Sequence, residues 1–93
     1  MADTTPMVTI SLYYWAGAKA AAGVAVERFD VDTVAQALQC ARDQRADPRF
    51  DHVLSVSSLL VDGTLLRGEA LDRVVQEPVR VEVLPPFAGG SRL

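Results

Sequence analysis

Apolar residues recur with a period of two at both ends of this chain and with a longer period in its middle. In MVTISLYYW, Val8, Ile10, Leu12 and Tyr14 fall on one face and Thr9, Ser11, Tyr13 and Trp15 on the other. Period two is the mark of a half-buried strand. AGAKAAAG follows, bracketed by Gly17 and Gly23. It is too short for an independent helix and predicts a connection with one helical turn. Val24–Val31 is rich enough in β-branched residues for a second strand, antiparallel to the first if the connection folds back. The period then changes. Val34, Ala37, Leu38 and Ala41 recur at helical spacing, with Gln, Arg and Asp opposite them. Thr33 and Gln36 form a capping-box start, and Asp32 adds negative charge at the positive end of the helix dipole. Cys40 flanks the apolar stripe and reads as a small buried hydrophobe. Pro48 reads as a stop a little beyond the helix.

In SSLLVDGTLL the pair Asp62-Gly63 is a favoured two-residue hairpin turn between β-prone runs. RGEALDRVVQEP is a polar connection with room for one short helical turn. VRVEVL alternates again, with Val79, Val81 and Val83 inward and Arg80, Glu82 and Leu84 outward. Pro78 stands at its start, where a missing N–H does least harm. Arg80 and Glu82 read as a solvated cross-strand pair. Two strands, a helix, a hairpin and a final strand make an α+β domain, with one main helix packed on one face of a mixed sheet. The connection through the helix leaves the first and last strands free to pair in the centre, a β-grasp topology. The expected boundaries are a flexible N-terminus over 1–6, the domain over 7–84 and an extended C-terminal tail over 85–93.

Composition narrows the function. The chain has 93 residues, enough for one domain, and 49% of them are hydrophobic, enough for one layer of helix on sheet. The net charge is −3 and the nine Lys and Arg residues are scattered, so the basic footprint of nucleic-acid binding is missing. No apolar run approaches the roughly 20 residues of a membrane span, and MADTTPMVTI does not read as a signal peptide. A cytoplasmic location is the expectation. Cys40 is the only cysteine and His52 the only histidine. An intramolecular disulfide and a paired-cysteine metal site are thereby excluded, and a catalytic triad would rest on one imidazole without a nucleophile signature nearby.

The chain closes on LPPFAGGSRL. YYWAGAKAAAG, DTVAQAL, LLVDG and VEVLPPFAGG, in that order, resemble the MoaD/ThiS sulfur-carrier family, a ubiquitin-like group, and above all its molybdopterin synthase small subunits. The likeness spans roughly Val8 to Gly90. It implies that an adenylyltransferase of the ubiquitin-activating kind adenylates the carboxylate of Gly90 at the expense of ATP. The adenylate then becomes a thiocarboxylate, which delivers sulfur inside a molybdopterin synthase large subunit. Gly89 would accompany Gly90 through a narrow tunnel, since glycine carries no Cβ and tolerates unusual backbone angles. Pro85 and Pro86 would hold the stem extended and lower the entropy lost on insertion. Tyr13, Trp15 and Leu84 would share the sheet face opposite the helix and, with Pro85, Pro86 and Phe87, dock the partner. The resemblance implies a carrier subunit rather than an enzyme, with no bound cofactor or metal.

Two features depart from that family. A Gly-Asp turn usually precedes its last strand, whereas VVQEPV stands here. Ser91, Arg92 and Leu93 follow Gly90, and a glycine inside a peptide bond has no carboxylate to activate. Trimming by a protease, an artefact, or loss of carrier chemistry would each account for the extension. The sulfur could equally be destined for thiazole, cysteine or a secondary metabolite. A ubiquitin-like modifier or plain interaction module is the reading of a different class.

Overall fold

The computed structural model describes residues 7–86. Strand β1 (Val8–Tyr14) leads directly into helix α1 (Ala16–Ala22), which returns the chain to strand β2 (Val26–Val31). Helix α2 (Val34–Arg45) and helix α3 (Pro48–Val56) follow, then strands β3 (Ser58–Val61) and β4 (Thr64–Leu66). A 3₁₀ turn over Gly68–Asp72 precedes strand β5 (Val79–Leu84). The sheet order is β2-β1-β5-β3-β4. The first and last strands lie parallel at its centre, as expected, and every other pairing is antiparallel.

The alternation read from the sequence decides which face is covered. Ile10, Leu12 and Tyr14 of β1 and Val81 and Val83 of β5 are buried against Val34, Ala37, Leu38 and Ala41 of α2. The capping box forms as expected: the Gln36 N–H donates to Thr33 Oγ1 at 3.0 Å, and the Thr33 N–H donates to Gln36 Oε1 at 3.1 Å. Asp62 and Gly63 both adopt positive φ, 51° and 78°, the requirement of a tight hairpin whose twist matches its strands.

Three expectations change. Helix α2 ends at Arg45, short of Pro48 as expected, but Pro48 also opens a further helix: the Asp47 carboxylate accepts the Arg49 N–H, and Pro48 occupies the first turn, where no N–H is needed. Helix α3 contributes Phe50 and Leu54 to the core. The connection after β1 holds a seven-residue helix rather than one turn. It buries Ala18 and ends on Gly23 in the left-handed region at φ 83°, whose N–H donates to the Lys19 carbonyl. Cys40 is only half-buried.

An arginine ties these helices to the sheet. Arg45, at the end of α2, donates from Nη1 to Glu27 Oε1 of β2 at 2.9 Å, with both side chains mostly shielded. Its Nε and Nη2 donate to the Ala22 carbonyl, which closes α1, at 3.2 and 3.1 Å. The guanidinium carbon lies 4.4 Å from the centre of the Phe50 ring. Tyr14 completes the clasp, its hydroxyl donating to Glu27 Oε1 at 2.7 Å. Burial, and then the Glu27 carboxylate, push that hydroxyl well above the usual tyrosine range.

Candidate functional site at the root of the tail

Parallel pairing of β1 with β5 sets Tyr13 opposite Glu82 and Ser11 opposite Arg80. Side chains of matching parity therefore stand together on the face the helices leave uncovered. The Arg80 guanidinium carbon lies 3.9 Å from the centre of the Tyr13 ring, a cation–π contact. Arg80 Nε donates to Glu82 Oε2 at 2.9 Å. This pair runs along one strand, two residues apart, and corrects the cross-strand arrangement expected of it.

Trp15 lies one residue past the end of β1. Its backbone N–H donates to the Val83 carbonyl at 3.1 Å, extending the parallel ladder by one rung. Its own carbonyl accepts from the Ala18 and Lys19 N–H groups in the first turn of α1. Ala16, at φ 47°, makes the sharp turn from strand to helix in a left-handed conformation that disfavours a Cβ. The indole is thereby left on the outer face, 46% exposed, and its Nε1–H donates to Glu82 Oε1 at 2.6 Å. Tyr13, Trp15 and Leu84 thus share the outer face. Tyr13 and Leu84 are half-buried.

Strand β5 passes from Leu84 into Pro85 and Pro86 without an intervening turn. Trp15, Ala16, Leu84 and Pro85 enclose an apolar groove of about 380 Å³. A second groove of about 370 Å³ lies against the helices, bounded by Ala16, Gly17, His52, Val53, Val56, Pro85 and Pro86. Gly17 forms part of its wall, where an added Cβ would meet Pro85 Cγ at 3.9 Å. The second groove was not foreseen because α3, which supplies His52, Val53 and Val56, was not foreseen. The Asp47-Pro48 pair was the available signal. Phe87, Gly89, Gly90 and the extension Ser91, Arg92 and Leu93 lie outside the described residues. Among the described residues no group of three His, Cys, Asp or Glu side chains is placed to hold a metal ion. No helix among them is long and apolar enough to cross a membrane.

Comparison with solved structures places this architecture. Small archaeal modifier protein 1 from Methanosarcina acetivorans superposes with a TM-score of 0.72 at 20% identity, over 90% of this chain and 98% of its own. The ubiquitin-like β-grasp is the fold of this chain. The β-grasp protein of the same name from Haloferax volcanii superposes with a TM-score of 0.69 at 22% identity, over 88% of this chain and 99% of its own. A chain from the complex of subunits 1 and 2 of the Helicobacter pylori molybdopterin-converting factor gives a TM-score of 0.61 at 13% identity, over 88% of this chain and 99% of its own. The sequence matches no family model and no curated protein.

Proposed function

We propose that this β-grasp protein is a sulfur carrier of the MoaD/ThiS kind, serving molybdopterin biosynthesis as the small subunit of a synthase. The observation that carries the reading is the course of β5. A central strand leads directly into Pro85-Pro86, and Phe87-Ala88-Gly89-Gly90 comes next in the sequence. The fold shared with a chain of the converting-factor complex supports it. A free carboxylate is a poor electrophile. Adenylation with ATP by an adenylyltransferase gives the Gly90 carbonyl a good leaving group, and replacement of the nucleotide by sulfide leaves a nucleophilic thiocarboxylate. Ser91, Arg92 and Leu93 are removed first, by a protease, because Gly90 has no carboxylate while they remain.

Catalysis in this scheme belongs to the large subunit, which receives the tail. Tyr13, Trp15, Leu84, Pro85 and Pro86 form the surface that docks it in the cytoplasm, and Phe87, next in the sequence, is assigned to the same role. The intact mass of the protein from its native cells tests the proposal. A chain ending at Gly90, with a fraction in which sulfur replaces one oxygen, is the expected result. A chain ending at Leu93 while the pathway runs would overturn it. A second reading, a protein modifier, draws support from the two small archaeal modifier proteins that share the fold. It calls for Gly90 in isopeptide linkage to lysines of other proteins, which the same cells would reveal as heavier conjugates.

A further inference from the structure

We infer that Glu82 is a positioning residue, whose carboxylate holds Trp15 in the orientation the docking surface needs. The two carboxylate oxygens are divided between two donors. Oε1 accepts the indole Nε1–H of Trp15 at 2.6 Å, and Oε2 accepts Nε–H of Arg80 at 2.9 Å. Arg80 in turn lies over the Tyr13 ring. One carboxylate therefore ties four side chains into a single row across the outer face, and rotation of any member breaks a contact of its neighbour. Charge-assisted hydrogen bonds of this length are the stronger kind, and the Glu82 side chain is 26% exposed.

The brace has a geometric consequence. Trp15 and Leu84 bound the same apolar groove, with Ala16 and Pro85 completing it. An indole released from Glu82 is free to turn onto Leu84 and Pro85, because burying apolar surface is favourable. The groove would then be filled by the protein's own tryptophan. Tethering the N–H to Glu82, which does not line the groove, opposes that turn. An ordered anchor also loses less side-chain entropy when a partner arrives. This inference rests on the proposed docking role of Trp15, but the positioning itself can be read without a partner.

Trp15 is the only tryptophan, so its signals belong to one site. In the full chain, Glu82→Ala moves the indole N–H proton resonance to the position of a solvent-exposed indole, speeds its exchange with water, and lowers the fluorescence anisotropy from local motion. Glu82→Gln, which keeps an acceptor oxygen, restores all three. The melting temperature of both variants confirms that the fold is retained. Binding to the molybdopterin synthase large subunit weakens about tenfold in Glu82→Ala, the scale set by freeing one or two ordered side chains. Glu82→Gln lies between Glu82→Ala and the parent. Unchanged indole signals in Glu82→Ala would overturn the brace. Loosened indole signals with undiminished affinity, where Trp15→Ala does weaken binding, would overturn the positioning role. Full affinity in Trp15→Ala would instead overturn the docking reading on which the role rests.

Discussion

Replacing Arg45 with methionine keeps the aliphatic stem and deletes the guanidinium. The structure allows the cost to be worked out. Glu27 would lose its cationic partner, leaving only the Tyr14 hydroxyl on the same carboxylate oxygen. The Ala22 carbonyl would lose two donors and the Ala41 carbonyl one, and the Phe50 ring would lose its cation. Breaking a fully buried pair costs about 3–5 kcal/mol, mostly from the charge left behind. Here the side chains keep 14% and 20% exposure, so water relieves part of that penalty. Adding roughly 1 kcal/mol for the abandoned carbonyls brings the expected loss to about 2–3 kcal/mol. That is about a 30- to 150-fold shift in the folding equilibrium, and about 10–20 °C in melting temperature for a domain of this size. Urea unfolding followed by circular dichroism measures it. Arg45→Lys should recover little, since an ammonium cannot fork between Glu27 and the Ala22 carbonyl. A loss below about 1 kcal/mol, or full recovery by lysine, would refute the claim that this clasp joins α1, α2 and β2.

Three further outcomes follow from the same geometry. Trp15→Ala should lower affinity for the large subunit more than about 30-fold, as expected of an interface anchor, with a stability loss of about 1–2 kcal/mol from the buried half of the indole and its bond to Glu82; a titration beside a melting curve separates the two. Tyr14 ionises later in the folded chain than in the unfolded one. The stability this contributes is intact below about pH 10 and declines as pH rises toward the folded group's higher value, by at most about 1.4 kcal/mol per pH unit, so Tyr14→Phe should flatten the alkaline limb of a stability–pH curve. Ala16→Gly should raise stability by about 0.5–1 kcal/mol, since the left-handed turn penalises a Cβ more than the added freedom of glycine costs; a lower melting temperature would mean that the turn is not strained.

Much of the site was legible for one reason. Parity along a strand is a local property, so Tyr13 and Leu84 could be assigned to the outer face before their strands were known to be neighbours. Trp15 follows the same parity although it lies beyond the strand, because its N–H still bonds the Val83 carbonyl. Helix α3 was hidden by a proline that terminates one helix pattern and initiates another. Glu82 was hidden because its two partners are fixed by register: Arg80 is near in sequence, but Trp15 is 67 positions away. Arg45 stood out from nothing in the sequence, because its half-buried role depends on Glu27 arriving from β2.

The sequence by itself determined the alternating strands, the capped helix and the Asp62-Gly63 hairpin. Each of these is dictated by steric and hydrogen-bonding preferences within a few residues, and needs no distant partner. Tertiary structure alone decided what those elements do together. Parallel pairing of β1 with β5 set Glu82 beside Trp15. Docking of α3 against α1 and Pro85-Pro86 formed the second groove. The Arg45 clasp closed the end of α1. Contacts between residues far apart in the chain arise only when burial of a shared core repays the entropy of bringing them together, and that balance belongs to the whole domain.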